Sequence, residues 1–217
     1  MDELLFFNPY ADIRHTANRL PHWQQDGAVY FITFRLADAV PIRLRTQWEN
    51  ERDMWLRIHP EPWSVEVEFE YHQRFSVQVE RWLDAGHGAC LLRRRECAQI
   101  VAETLRHFEG ERLVLISAII MPNHVHALFV QNSEWPLEKL IQSWKRFTAR
   151  EINNLVGRSG NLWQRDYFDR LVRDEKHFAN CVRYIRRNPE KAHLREGQYV
   201  LYESDVARRV SNQGAAI

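Results

Sequence analysis

The chain has 217 residues, of which 45% are hydrophobic and 27% are charged, values that are ordinary for a soluble globular protein. This length allows one sizeable domain, or one domain with additions. The longest apolar stretch, Leu113 to Met121, is interrupted by Ser117 and is far too short to cross a membrane. The N-terminus MDELLFFNPY has no basic region before an apolar run, which argues against a secretory signal. Three cysteines without a CxxC spacing indicate reduced thiols and a cytoplasmic location.

The net charge of +1 is unevenly distributed along the chain. The segment from Lys139 to Arg195 contains 14 Lys and Arg against 6 Asp and Glu, a local excess of eight positive charges. One interpretation is a protein face that binds a polyanion. The other is a set of ordinary helix faces exposed to solvent. Charge alone does not choose between them.

The first half of the chain predicts one strand and three helices. The aromatic and β-branched run from Ala28 to Ala37 is typical of a strand. The helices are expected at Ile42 to Ile58, at Tyr71 to Leu83 and at Glu96 to Phe108, with a break at 60–62 where two prolines occur.

The second half predicts a central hairpin, a long helix, an edge strand and a final helix. RLVLISAIIM and HVHALFV form two strands joined by a tight turn at Pro122–Asn123. A helix follows from Pro136 to about Leu155, and DYFDRLVR has the pattern of an edge strand. Asp174 would cap a last helix that Pro189 ends after Asn188. Strands and helices interspersed in this way predict an α+β fold.

Two histidines stand at the start of an otherwise apolar strand. Side chains alternate along a strand, so His124 and His126 share a face and Val125 points to the other. Two imidazoles in this arrangement can each offer a nitrogen to one divalent metal ion. The alternative is a pair of polar residues at a strand end, satisfied by water or backbone groups.

The last predicted helix presents a tyrosine and an asparagine on one flank. Its apolar stripe at i, i+3, i+4 and i+7 faces the core, and Tyr184 and Asn188 lie together beside that stripe. Four basic side chains surround the pair: Arg183, Arg186, Arg187 and Lys191. The alternative is a half-packed boundary tyrosine followed by an Asn-Pro helix stop.

These parts suit one reaction. A tyrosine hydroxyl with an ordinary pKa near 10 is a poor nucleophile. It can attack a phosphodiester if a metal ion polarises the phosphate and stabilises the developing charge. The resulting phosphotyrosine ester keeps the energy of the broken bond, so a second strand can displace the tyrosine without ATP or any other nucleotide cofactor.

Several motifs together resemble a known family. MPNHVHALF resembles the HUH motif (His, hydrophobic, His) of the single-stranded-DNA tyrosine transposases. WQRDYFDRLVRDEKHF and YIRRNPEKAHL are similar to the signature of the REP-associated tyrosine transposases. SWKRFTAREIN and LPHWQQDGAVYFITFRLAD fit the same group, and all of them occur in the expected order between about Leu20 and Leu194.

The resemblance implies a ferredoxin-like α+β domain of the HUH-nuclease type, an antiparallel sheet with helices packed on it. It implies that His124 and His126 bind Mg²⁺ or Mn²⁺, and that Tyr184 is the nucleophile that gives a 5′-phosphotyrosine. Asn188 stands four residues after the tyrosine, where related insertion-sequence transposases have a glutamine metal ligand. The implied substrate is single-stranded DNA that carries a repetitive extragenic palindromic (REP) hairpin. The implied state is a monomer, with a dimer as the alternative.

Other segments complete the expected organisation. We expect a single domain over 1–217, with a core of about 20–195, a helical insertion of about 60–95 and a C-terminal tail of 196–217. Contacts to the DNA backbone are expected from Lys145, Arg146 and Arg150 of the long helix. Trp144 and Phe147 are expected in the core rather than stacked on a base, and Tyr167 is expected to pack rather than to react.

Three rival functions are compatible with parts of the pattern. One is a domesticated protein that binds DNA hairpins without cleaving them. Another is a metal-dependent hydrolase that uses water as the nucleophile. The third is an inert structural domain, which would show no metal-dependent activity on DNA.

Overall fold

A five-stranded antiparallel sheet forms the centre of the protein. The structure is a computed structural model that describes residues 4–12, 14–17, 21–60 and 63–213. Its strands are β1 (Arg14–Ala17), β2 (Pro21–Gln24), β3 (Val29–Arg35), β4 (Leu113–Ile120), β5 (His124–Gln131), β6 (Phe168–Leu171) and β7 (Val200–Glu203). β1 and β2 form a separate two-stranded ribbon, and the other five are ordered β6-β3-β5-β4-β7.

Seven α-helices accompany these strands in the described part of the chain. They are α1 (Ile42–Ile58), α2 (Val65–Tyr71), α3 (Val77–Asp84), α4 (Arg95–Arg106), α5 (Leu137–Val156), α6 (Glu175–Lys191) and α7 (Asp205–Gln213). A π-helical turn at His72–Ser76 joins α2 to α3, and a short 3₁₀ turn at Leu91–Arg93 precedes α4. None of the described helices is long and apolar enough to cross a membrane.

The order of strands and helices confirms the predicted ferredoxin-like α+β fold. The sequence β3-α4-β4-β5-α5-β6 folds into four adjacent antiparallel strands, and α4 and α5 contact each other. The predicted hairpin is present, and its turn is closed by the N–H of Met121, which donates to the carbonyl of His124 over 2.9 Å. β6 is the predicted edge strand.

The two faces of the sheet have different partners. Tyr30, Ile32, Phe34 and Phe129 are buried in a core cluster that includes residues of α4 and α5, and Phe129 packs against Trp144 with ring centroids 5.5 Å apart. The opposite face packs mainly against α6 through a second cluster: Val29, Ile119, Leu128, Phe178, Cys181, Val182 and Ile185. The alternation of side chains along β5 therefore assigns His124 and His126 to the face that α6 covers.

The helical insertion is present, and the helical part that the structure describes is longer than predicted. Its described part is helical from Val65 to Asp84, whereas the apolar spacing predicted a start at Tyr71. The predicted break at 60–62 lies partly outside the described residues. An aromatic cluster holds this insertion together, because Trp55 packs against Trp63, Tyr71 and Phe75 with ring centroids 5.4, 5.5 and 5.8 Å apart.

The prediction that Pro189 ends the last helix is wrong. α6 continues to Lys191, with Pro189 buried inside it. A proline lacks the N–H that would bond to the carbonyl four residues earlier, but near the end of a helix that loss affects a single bond. The turn continues beyond it, because the N–H of Ala192 donates to the carbonyl of Asn188 over 3.2 Å.

The segment 196–217 was expected as a tail, but part of it is an element of the sheet. β7 pairs antiparallel with β4, in a register that places Glu203 opposite Ser117. Arg186 of α6 donates to both carboxylate oxygens of Glu203, over 2.9 and 2.6 Å. Residues 196–213 are therefore anchored to the sheet and to the tyrosine helix.

The core interpretation is confirmed for Trp144 and Tyr167. Trp144 is 1% exposed and Tyr167 is 5% exposed. The core interpretation is wrong for Phe147, which is 44% exposed and lies beside the guanidinium of Arg150. The cysteines Cys90, Cys97 and Cys181 are free and buried, as expected for reduced thiols.

The Arg186–Glu203 ion pair yields a stability prediction. An exposed pair contributes less than about 1 kcal/mol. Here Arg186→Ala would leave the Glu203 carboxylate, only 10% exposed, without its main partner. We expect the free energy of unfolding to fall by about 1–2 kcal/mol. Urea denaturation tests this, with Arg187→Ala as the matched control because Arg187 is exposed on the same helix. Equal stability of both variants would show that the ion pair is not an anchor.

Candidate metal and nucleophile site

The structure brings together the four residues that the sequence singled out. His124 and His126 lie on β5, with ring centroids 4.7 Å apart. Tyr184 on α6 meets His126 edge to face, with ring centroids 5.2 Å apart. Asn188 lies one helical turn after Tyr184, is fully buried, and acts on the pKa values of both His124 and Tyr184. The two elements therefore place an imidazole pair, a phenol and an amide at one point.

Each imidazole is oriented by a buried polar neighbour. The Nδ1 of His124 lies 2.8 Å from the Oδ1 of Asn123, and the Nδ1 of His126 lies 2.7 Å from the Oγ1 of Thr33. An amide oxygen only accepts, so the Nδ1–H of His124 must donate to Asn123. This contact fixes the tautomer and leaves the lone pair on Nε2 of His124, the arrangement that a metal-binding histidine needs.

Asn123 is itself held by the segment that follows α3. Its Nδ2 donates to the carbonyls of Leu83 and His87, over 3.2 Å each. The N–H of Leu92 also donates to the carbonyl of Pro122 over 3.1 Å. The end of the helical insertion is thus tied to the turn that precedes His124.

The remaining polar atoms of the site are buried without hydrogen bonds. Among the described residues, the Nε2 atoms of His124 and His126 and both amide atoms of Asn188 have no such partner. Buried polar groups in native proteins are nearly always satisfied, so four unpaired atoms gathered at one point indicate a ligand site. Two imidazole nitrogens and one amide oxygen form a donor set that fits a divalent metal ion.

The donor set depends on the asparagine. No group of three or more His, Cys, Asp or Glu side chains that could hold a metal ion occurs in the part of the chain that the structure describes. A metal bound here would have His124 and His126 as its imidazole ligands, and Asn188 would supply the oxygen.

Burial keeps both histidines neutral. The pKa of His124 is lowered to about 3, mainly by desolvation; Asn188 opposes this shift, and the charge of Arg35 contributes to it. Desolvation also lowers the pKa of His126, followed by the effects of His124 and Lys191. Neutral imidazoles have a lone pair available for a metal at physiological pH.

Tyr184 is half-buried between aromatic and charged groups. Phe31 packs against it with ring centroids 5.8 Å apart, and the Nζ of Lys191 lies 4.3 Å from its ring centroid. Burial raises the pKa of the Tyr184 hydroxyl, and the carboxylates of Glu80 and Asp84 raise it further. The hydroxyl is therefore protonated at neutral pH until a proton acceptor takes part.

Glu80 and Asp84 of α3 were not predicted to belong to this site. Burial raises the pKa of both carboxyl groups, while the charge of Lys191 opposes the shift. The charge of Arg170 on β6 also acts on Glu80. Their spacing of four residues on a helix is common on solvated helix faces, and no local signal marks them, because only the tertiary fold brings α3 beside α6.

The seven basic residues predicted to bind DNA occupy different environments. Arg146, Arg150, Arg187 and Lys191 are exposed, whereas Lys145, Arg183 and Arg186 are half-buried. Lys145 donates to the carbonyls of Gln164 and Arg165, over 2.6 Å each, and Arg186 pairs with Glu203. These two are engaged within the protein, and the exposed ones are the better placed for a polyanion.

Comparisons with known proteins bear on this site. Residues 92–188, which include both histidines, Tyr184 and Asn188, match the family described as "Transposase IS200 like". This part of the chain is similar to the IS200-like transposase family. The similarity agrees with the resemblance drawn from the motifs.

Two curated proteins of Haemophilus influenzae are similar to the chain. One, named "Putative REP-associated tyrosine transposase", is 27% identical over 99 residues, which cover 41% of this chain and 54% of that protein. The other, named "Uncharacterized protein", is 28% identical over 92 residues, which cover 33% of this chain and 51% of that protein. The chain therefore spans about half the length of the curated relatives it matches.

A solved structure has a distant likeness to the chain. It shows a REP-associated tyrosine transposase bound to a REP hairpin, with a TM-score of 0.41 and 14% identity. The match covers 81% of this chain and 74% of that one.

The buried histidines predict an acid-dependent loss of stability. In the folded protein the pKa values of both histidines lie below the ordinary value of 6.5, and that of His124 is about 3. Between these pH values the unfolded chain binds protons that the folded protein does not bind. The contribution of the two histidines to the free energy of unfolding is therefore fully present above pH 6.5 and is lost as the pH falls towards 3. Each site contributes a slope approaching about 1.4 kcal/mol per pH unit.

Urea denaturation in EDTA at several pH values between 7 and 4.5 measures this slope. We expect His124→Gln and His126→Gln each to reduce the pH dependence relative to the wild type. Parallel pH profiles for wild type and variants would show that the imidazoles are not buried in neutral form.

The contact between Asn123 and His124 predicts a second measurable effect. Asn123→Ala should weaken Mn²⁺ binding by about 10- to 100-fold, because the imidazole loses the partner that orients it. Isothermal titration calorimetry measures the affinity. Asn132→Ala is the matched control, since the Asn132 side chain also donates to a backbone carbonyl, that of Glu111, in a turn at the far end of β5. An equal Mn²⁺ affinity for the two variants would remove Asn123 from the site.

Proposed function

We propose that this protein is a metal-dependent DNA transesterase of the transposase type, which cleaves and rejoins single-stranded DNA through a 5′-phosphotyrosine at Tyr184. The observation that carries the proposal is the set of buried, unpaired polar atoms on His124, His126 and Asn188 beside this hydroxyl. A structural domain has no use for such a set, because unpaired buried groups destabilise the fold.

The proposed reaction exchanges one ester for another. The Oη of Tyr184 forms a bond to the phosphorus of a DNA phosphodiester, and the bond from phosphorus to the 3′ oxygen breaks. The electron pair of that bond leaves with the 3′ oxygen, which becomes a free hydroxyl on taking up a proton. A later attack by a 3′ hydroxyl on the phosphotyrosine reverses these changes and joins two strands, so no nucleotide cofactor is required.

The residues of the site have separate tasks in this reaction. His124, His126 and Asn188 would hold Mg²⁺ or Mn²⁺, which when bound supplies a positive charge for the oxygens of the phosphate. Asn123 and Thr33 would hold the two imidazole rings in the orientation that such an ion requires. Lys191, above the Tyr184 ring, favours the phenolate over the phenol as the proton leaves.

Glu80 is the proposed proton acceptor for Tyr184. Its carboxylate lies beside the hydroxyl and shares the half-buried environment of α3 and α6. Burial raises the pKa of Glu80 and so makes its carboxylate a stronger base than an exposed one. The charges of Lys191 and Arg170 act on the pKa of Glu80 in the opposite direction.

The proposed substrate is single-stranded DNA with a REP-type palindromic hairpin. The proposal rests on the motifs shared with REP-associated tyrosine transposases and on the relative that bears this name. Exposed Arg146, Arg150 and Arg187 would contact the DNA backbone, whose charge attracts the basic surface without reading its sequence. We propose that the protein acts in the cytoplasm and as a monomer, since no second copy is needed to complete the four-residue site.

A denaturing gel with labelled single-stranded DNA tests the proposal. The DNA should carry the palindrome next to the gene, and the reaction should be run with Mn²⁺ and with EDTA. We expect a slowly migrating covalent band that disappears with EDTA and in Tyr184→Phe. Tyr167→Phe is the matched control and should retain the band, because Tyr167 is buried in the core.

Each rival function gives a different result. Cleavage that survives Tyr184→Phe without a covalent band would identify a hydrolase that uses water. Salt-sensitive hairpin binding without cleavage or adduct would identify a DNA-binding relic. Neither binding nor cleavage would leave a structural domain.

A further inference from the structure

Arg35 places a positive charge next to the proposed metal site. It is the last residue of β3 and is paired directly with His124 of β5. Residues that face each other on antiparallel strands project to the same side of the sheet. The guanidinium therefore lies on the face that carries His124 and His126, and its charge helps to lower the pKa of His124.

This arginine is buried without an anionic partner. Arg35 is 7% exposed, and its guanidinium carbon lies 5.2 Å from the ring centroid of Phe168. Among the residues that the structure describes, its guanidinium makes no hydrogen bond and no ion pair. Arginine carries five N–H donors and is almost never buried unless it is paired. The donors of Arg35 are thus available for a ligand that belongs in the site.

The charges around Arg35 do not neutralise it. After burial, the strongest influence on its pKa is the repulsion from Arg45 of α1, and Arg52 acts in the same direction. Asp166 and Glu49 oppose these effects, but neither forms an ion pair with it. Its charge in turn helps to lower the pKa of Lys145. An anion bound among these groups would relieve the repulsion between them.

We propose that Arg35 is a further catalytic residue, which donates hydrogen bonds to the non-bridging oxygens of the DNA phosphate that Tyr184 attacks. The inference rests on the proposed function and names a contact to substrate beyond those of His124, His126, Tyr184 and Asn188. A planar guanidinium can donate to two phosphate oxygens at once. Negative charge grows on these oxygens as the Tyr184 oxygen approaches phosphorus, and a fixed positive group in a buried site stabilises that charge.

Arg35→Met tests the proposal, because it should lower the rate of cleavage without lowering the stability of the protein. Methionine keeps an apolar chain beside Phe168 and removes the unpaired charge. We expect the melting temperature of the metal-free protein to stay equal or rise, and the Mn²⁺ affinity to stay the same. Single-turnover cleavage of the hairpin DNA should fall by about 10²- to 10³-fold, the usual effect of losing one such donor. Arg35→Lys should recover part of the loss, because it restores a charge but not the paired donors.

Inorganic phosphate provides a test that does not require cleavage. In EDTA, phosphate should raise the melting temperature of the wild type, and this increase should be lost in Arg35→Met. Arg57→Met is the matched control, with the same change of charge on an exposed residue of α1 that has no role in the site, and should retain the increase.

The outcomes separate this inference from the proposed function. If the wild type forms the covalent adduct and Arg35→Met does so at the same rate, the inference is wrong and the proposed function stands. If no adduct forms but phosphate stabilises the protein through Arg35, the anion site stands and the proposed function fails. A loss of stability in Arg35→Met would show that the arginine is structural, and would overturn the inference.

Discussion

The register between β3 and β5 is the constraint on which the rest of the site depends. It pairs Thr33 with His126 and Arg35 with His124, so that three kinds of polar group meet on one face of the sheet. A shift of one residue would turn both imidazoles into the opposite core. The apolar residues between them prevent this shift, because Ile32, Phe34, Val125, Ala127 and Phe129 are all buried on the other side. The packing of one face thus positions the chemistry of the other.

The site gathers buried polar atoms that lack a hydrogen bond. Elsewhere in the described structure such atoms occur one to a residue, as the Nε1 of Trp144 and the Oγ of Ser211 do, and other buried hydroxyls donate to backbone carbonyls, as Thr104 does to Ile100 and Ser117 to Tyr202. At the site, by contrast, the imidazole Nε2 atoms and the amide of Asn188 are unpaired. Each such group costs about 1–3 kcal/mol. The apolar clusters on both faces of the sheet offset this cost, and only a ligand that pairs with these atoms removes it.

Local pattern predicted most of the fold and the four residues that meet at the site. The hairpin, α5 and α6 follow from apolar spacing and turn residues, and the flank shared by Tyr184 and Asn188 follows from helical geometry. β7 was missed because four residues give too little periodicity, and its pairing with β4 joins segments far apart in the chain. Arg35, Asn123 and Glu80 were missed for a related reason. Their significance depends on partners that only the tertiary fold brings near, such as the carbonyl of Leu83, which is 40 residues from Asn123.

The helical insertion explains how a segment without a recognisable motif can be essential to a site. α3 places the carboxylate of Glu80 on the side of Tyr184, and the chain that follows it supplies the Leu83 and His87 carbonyls on the side of His124. Backbone carbonyls are present whatever the side chain, so this support requires the path of the chain and not particular residues at 83 and 87. The aromatic cluster around Trp55 fixes that path. Such a segment can vary in sequence while it holds the histidine in place, and for that reason its pattern does not reveal its role.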